Sequence, residues 1–171
     1  MSKFKNTFRI ETSRLKEWDY SSPWWYYVTI NTKDHIEYFG SVENEKMILN
    51  ELGKVAEKCW KEIPKHFPNV ENDYYIIMPN HIHGIVMLNP SVETPDRASL
   101  QNVTLGQIIN QFKGSVKRWA NKDGFLFFSW QPRFYDRIIR NEKELYSIRN
   151  YIVQNPPKWQ FEKNNPENIF D

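Results

Sequence analysis

An α+β fold on an antiparallel sheet is what this 171-residue sequence predicts. Two apolar runs meet at Pro79-Asn80, a turn signal with β-forming residues on both sides. A second run of aromatic and β-branched residues, Trp24-Trp25-Tyr26-Tyr27-Val28-Thr29-Ile30, reads as a further strand. Stretches with apolar residues at helical spacing lie between and after these runs. The resulting order is strand, strand, helix, strand, strand, helix, strand, helix. After the first strand it contains the ferredoxin-like succession, which predicts an antiparallel sheet with helices on one face.

Each element has its own signal. Residues 1–22 are polar and read as a peripheral arm. After the strand at 24–30, a polar turn containing His35 leads to a return strand near 38–42. Ile48, Leu49, Leu52, Val55, Ala56, Cys59, Trp60 and Ile63 keep helical spacing, so a helix is expected from about 44 to 63, ended by Pro64. His66 lies just beyond, in a loop. The polar, proline-punctuated segment 89–103 reads as a mobile connection. Thr104 and Gln107 form a capping box for a helix with a stripe of Leu105, Ile108, Ile109, Phe112, Val116 and Trp119. Residues 125–130 read as a short aromatic strand and 131–136 as a loop. Asn141 and Glu144 cap a last helix that Pro156-Pro157 should stop, leaving 160–171 as a tail.

Composition narrows the classes of function. The length suits one domain spanning 1–171. A single cysteine excludes a disulfide framework and fits a reducing cytoplasm. No apolar run approaches membrane-spanning length, so a soluble cytoplasmic chain without a membrane partner is expected. Net charge is only +2, yet bases outnumber acids from Lys113 to Lys158 and are interleaved with aromatics. Cations for phosphates and rings for bases are what a nucleic-acid surface needs. Lys113, Lys117, Arg118, Arg133, Arg137 and Arg140 are the candidate phosphate contacts, although each could equally be a solvated surface charge.

The candidate site starts at His81-Ile82-His83. On a strand, alternate side chains share a face, so both imidazoles project together while Ile82 turns to the core. Two imidazoles on a rigid strand make half a metal site, or two hydrogen-bonded strand residues with no ligand. A zincin would need histidines four apart on a helix, and a structural zinc site would need more cysteines than Cys59. On the last helix Tyr151 and Asn155 are four apart and share a face beside the stripe of Leu145, Ile148 and Ile152. That helix could bring a phenol and an amide oxygen to the histidines.

Three segments carry a family resemblance: Met78-Pro79-Asn80-His81-Ile82-His83-Gly84-Ile85-Val86, Trp130-Gln131-Pro132-Arg133-Phe134-Tyr135-Asp136-Arg137-Ile138-Ile139-Arg140-Asn141-Glu142, and Tyr151-Ile152-Val153-Gln154-Asn155-Pro156. In this order they resemble the single-tyrosine HUH (histidine, hydrophobic, histidine) endonucleases, most closely the REP-associated tyrosine transposases. The resemblance implies the HUH fold, His81, His83 and Asn155 as ligands of Mg2+ or Mn2+, and Tyr151 as nucleophile. It implies cleavage of single-stranded DNA near a hairpin through a 5′-phosphotyrosine. It also implies a monomer acting in cis, with a helix-swapped homodimer as the alternative. The chain departs from the pattern at Arg137, near which many relatives carry a histidine, leaving any auxiliary role of that loop open. Two other functions compete: a domesticated protein that binds structured single-stranded DNA or RNA without cutting, and a metal-dependent phosphoesterase acting on a small molecule.

Overall fold

The computed structural model describes residues 3–4, 7–8, 15–91 and 103–164. Two short strands, β1 (Lys3–Phe4) and β2 (Thr7–Phe8), pair with each other. The sheet begins with β3 (Trp25–Asn31). A small hairpin follows, β4 (Gly40–Glu43) and β5 (Lys46–Leu49), then helices α1 (Glu51–Lys61) and α2 (Ile63–His66). Strands β6 (Val70–Ile77) and β7 (His81–Leu88) flank the Pro79-Asn80 turn, which Met78 closes by donating its N–H to the His81 carbonyl at 2.8 Å. The chain ends with α3 (Leu105–Lys122), β8 (Tyr135–Ile138), α4 (Glu142–Val153) and α5 (Asn155–Asn164).

The four-stranded sheet runs β6-β7-β3-β8, all antiparallel. With α1 after β3 and α3 after β7, this is the ferredoxin-like arrangement that the sequence predicts. One face carries Tyr26, Val28, Ile30, Ile82, Val86 and Leu88 against Leu52, Ala56 and Trp60 of α1 and the apolar stripe of α3. Gly84 lies on this face because Trp60 lies over it: a Cβ there would stand 2.2 Å from the indole. Trp60 is fully buried and cannot swing away. Gly84→Ala should therefore destabilise the fold by about 1–3 kcal/mol, the cost of overpacking a filled core. Urea unfolding midpoints would measure it, and an unchanged midpoint would contradict this packing.

The structure departs from the sequence expectations at several places. The last helix does not join the others on one face. Ile152 of α4 packs with Ile85 and Ile139 on the opposite face, supported by Trp25, Tyr27, Ile76, Leu145 and Ile148. The helix expected from 44 starts only at Glu51, capped by the Asn50 side chain, because Asn44 and Glu45 adopt positive φ (49° and 62°) and turn the chain into the β4–β5 hairpin. Ile48 is thus a strand residue. The expected strand at 125–130 is a turn with one isolated bridge, Thr32 to Trp130, whereas β8 starts in the last two residues of the segment expected to be a loop and runs beyond it. Aromatic content misled there, since Phe128 and Trp130 enter the core from a loop while Phe125 and Phe127 stay exposed. Pro156-Pro157 do not stop the chain: α4 ends at Val153, and the prolines sit in the first turn of α5, where missing N–H groups cost nothing. Most of the segment expected to be mobile (92–102), much of the N-terminal arm and tail residues 165–171 lie outside the described residues. Among the described residues no helix is long and apolar enough to cross a membrane.

Candidate active site

Register places the histidines. Asn31 pairs with His81 and Thr29 with His83, so the polar residues alternating along β3 share the face from which both imidazoles project. The two rings lie 4.6 Å apart, centroid to centroid. His83 is buried, and its Nδ1 sits 2.8 Å from the Tyr27 hydroxyl and 2.9 Å from Thr29 Oγ1. His81 Nδ1 lies 2.7 Å from Asn80 Oδ1, and Asn80 is oriented by donating its Nδ2 to the His35 carbonyl. Each ring thus has its Nδ1 engaged by the protein, so a ligand would be met through Nε2.

Burial dominates the electrostatics. It pushes His81 down to about 4 and His83 to about 3, so both rings are neutral at physiological pH with their lone pairs available. Burial also pushes the Tyr27 phenol up to about 12, which keeps it a neutral partner for His83. The sign of the linkage follows. An imidazole in the unfolded chain takes its proton near the ordinary value of 6.5, well before the folded rings do. Stability is whole above that value and is lost as pH falls toward 4 and 3. Melting temperatures recorded from pH 7 to 4 in chelator should fall less for a His81→Gln/His83→Gln variant than for wild type. Parallel slopes would contradict this.

The tyrosine and the amide arrive from the other end of the chain. Asn141 caps α4 by accepting from the Glu144 N–H at 2.9 Å, and the Glu144 carboxylate reaches back one residue further, to the Arg140 N–H. Arg149 fixes the helix azimuth. It donates to Asp73 at 2.7 Å and lies over the Tyr74 ring, both residues sitting where β6 bulges between Asn72 and Tyr75. Tyr151 then rests edge-on against His83, ring centroids 5.3 Å apart, and is 42% exposed.

Asn155 opens α5 rather than continuing α4. It is buried and hydrogen-bonds the His81 side chain. The first turn of α5 also brings Trp159 to 5.7 Å from the His81 ring and Lys158 over the Tyr151 ring at 5.6 Å. Helix α5 rests on the β4–β5 hairpin, where Gln160 accepts from the Glu45 N–H. His81, His83, Asn155 and Tyr151 therefore come together, with Tyr27, Thr29, Asn80, Lys158 and Trp159 around them. Sequence reasoning missed this outer ring. The polar alternation Tyr27, Thr29, Asn31 was the one available signal. Among the described residues no three His, Cys, Asp or Glu side chains are set to share a metal. A cation here would need a donor of another kind as its third, and the buried Asn155 amide stands beside His81.

No protein-family model matches the chain. An uncharacterized protein of Haemophilus influenzae is 38% identical over 158 residues, 86% of this chain and 88% of that one. A second H. influenzae protein, provisionally named a REP-associated tyrosine transposase, is 26% identical over 135 residues, 74% of this chain and 73% of its own. A solved REP-associated tyrosine transposase bound to a REP hairpin shares the fold, with a TM-score of 0.58 at 19% identity over 86% of this chain and 74% of that one. The chain is thus similar to the REP-associated tyrosine transposases, distantly in sequence and more broadly in fold.

Of the two tyrosines on α4, Tyr151 is the one that lies against the histidine pair. Tyr146, five residues earlier, is 67% exposed. The expected phosphate contacts divide into two groups. Lys113 is a correction: it lies in the buried stripe of α3, and its ammonium donates to the Gln131 and Pro132 carbonyls at 2.6 and 3.4 Å. Burial lowers its pKa. Its alkyl stem fills the core while its amine ties down the loop before β8. Lys117 likewise donates to the Phe128 and Leu126 carbonyls. Arg118, Arg133, Arg137 and Arg140 are exposed, with Arg137 paired to Glu144. Tyr135 and Arg137 pair with Thr29 and Tyr27 across the sheet, so both stand on the histidine face.

Proposed function

We propose that this chain is a transposase-like enzyme that cuts and rejoins single-stranded DNA beside a hairpin. Tyr151 is the nucleophile, and His81, His83 and Asn155 hold a divalent cation, Mg2+ or Mn2+. The observation that carries the proposal is the meeting of a phenol from α4 with two neutral imidazoles on β7 and an amide from α5. The donor set suits such a cation: it is uncharged and partly oxygen-based, and both histidine Nδ1 atoms are already held in place. When bound, the cation supplies polarisation of the scissile phosphate and offsets charge on its oxygens.

The chain's own groups do the rest. The Tyr151 oxygen forms a bond to phosphorus and gives its proton to solvent. The bond from phosphorus to the 3′ oxygen breaks, and that oxygen leaves as a 3′-hydroxyl after taking up a proton. The 5′-phosphotyrosine conserves the bond, so another 3′-hydroxyl can reverse the step and join a new strand. Trp159 and the α4–α5 junction shield the histidines from one side. Tyr135 and Arg137 offer the exposed part of the same face to the strand. That the related transposase is bound to a REP hairpin supports a hairpin DNA as partner.

The decisive test is a hairpin oligonucleotide with single-stranded flanks, incubated with Mn2+, Mg2+ or chelator and resolved on a denaturing gel. The proposal expects a divalent-dependent covalent adduct. Hairpin binding without any adduct would make the chain a binding protein instead. The environment of His83 adds a second expectation. Tyr27→Phe with Thr29→Val removes both Nδ1 partners and should weaken Mn2+ affinity about 10- to 100-fold. Calorimetric titration measures it, and unchanged affinity would show that the hydroxyls are not supporting a ligand.

A further inference from the structure

Residues 125–127, read from sequence as part of a strand, form an exposed apolar tip. Phe125, Leu126 and Phe127 are 37%, 65% and 92% exposed. Isolated exposed hydrophobics are ordinary, but three in succession on a short turn are not. The tip is also held still. The Phe125 N–H donates to the Ala120 carbonyl at 2.8 Å and the Phe128 N–H to the Phe125 carbonyl at 3.0 Å. Tyr38 donates its hydroxyl to the Phe127 carbonyl at 2.9 Å, and Lys117 holds the carbonyls on either side. Phe125 stacks on Trp119, and the buried Phe128 anchors the far end. The backbone is thus clamped while the Phe127 ring is presented to solvent, so little ordering entropy remains to oppose a contact.

Position indicates what meets it. The segment after Phe128 is tied to the histidine end of the sheet: Lys33 donates its N–H to the Ser129 carbonyl, and Gln131 donates to the carbonyl of Asn31, the cross-strand partner of His81. A flat, exposed ring on a fixed loop at the histidine end of the sheet matches the face of an unpaired base in a strand that reaches that end.

We propose that Phe127, backed by Leu126, is a stacking platform for an unpaired base of the DNA strand that reaches the His81–His83 site. This rests on the single-stranded DNA reading above and adds a contact to it. The test uses the full chain and hairpin oligonucleotides carrying 2-aminopurine at successive unpaired positions. With wild type, one position should be quenched on binding. Phe127→Ala should abolish that quench and weaken binding about 5- to 150-fold, whereas Phe127→Trp should keep both. The side chain is solvent-exposed, so the variants should melt as wild type does. If wild type binds but Phe127→Ala binds equally with the same quench, the platform is overturned while the DNA reading stands. If Phe127→Ala instead shifts the sedimentation of the free protein and leaves DNA binding intact, the tip is a self-association contact and the platform is overturned. If wild type binds no oligonucleotide at all, both proposals fall together.

Discussion

Tyr151→Phe should abolish the covalent protein–DNA adduct and reduce strand cleavage by at least about three orders of magnitude. The substitution removes one oxygen and keeps the ring that packs against His83. Because that ring is already substantially exposed, stability should change by no more than about 0.5 kcal/mol. Hairpin affinity should be retained, because the variant loses only the group that forms the new bond to phosphorus. A denaturing gel, a melting curve and a binding titration on one preparation separate these effects. A full-strength adduct from the variant would move the nucleophile elsewhere. Tyr146 would be the next candidate on α4, although it does not lie against the histidines.

His83→Ala should cost Mn2+ affinity at least about 100-fold, more than loss of the hydroxyls that orient the ring, because a donor itself is removed. The readout need not be catalytic. A cation that binds only the folded chain stabilises it by about 2.7 kcal/mol at a hundred times its dissociation constant. Wild type should therefore melt higher with added Mn2+, and His83→Ala should not. His81→Ala and Asn155→Ala should behave alike, since all three would share one ion. A Mn2+-dependent rise in melting temperature that survived all three substitutions would place any cation elsewhere.

The ferredoxin-like core could be read from sequence because its signals are local and redundant. The Pro79-Asn80 turn, the Thr104 and Gln107 capping box and the Asn141 cap each formed where expected. Errors arose where a local pattern had two solutions. Ile48 and Leu49 fit a helical stripe as well as a strand edge, and left-handed backbone at Asn44 and Glu45 decided between them. Lys113 lay next to the apolar stripe of its helix, and nothing in the chain announced that two carbonyls of a distant loop would receive its amine.

The candidate site divides in the same way. By itself the sequence determined that His81 and His83 share one side of a strand, because side-chain direction alternates with the backbone. It also placed Tyr151 on the helix capped by Asn141, but it carried Asn155 on that same helix, where the structure begins a new one. Only the tertiary structure decided that the Tyr151 helix crosses to the face opposite α1 and α3. Only there did burial make both imidazoles neutral and set Tyr27, Thr29 and Asn80 on their Nδ1 atoms. The reason is physical: strand periodicity is written residue by residue, whereas the face a helix covers depends on which apolar surface the rest of the fold leaves open. Here Ile85, Ile139 and Trp25 left that surface, and Ile152 closed it.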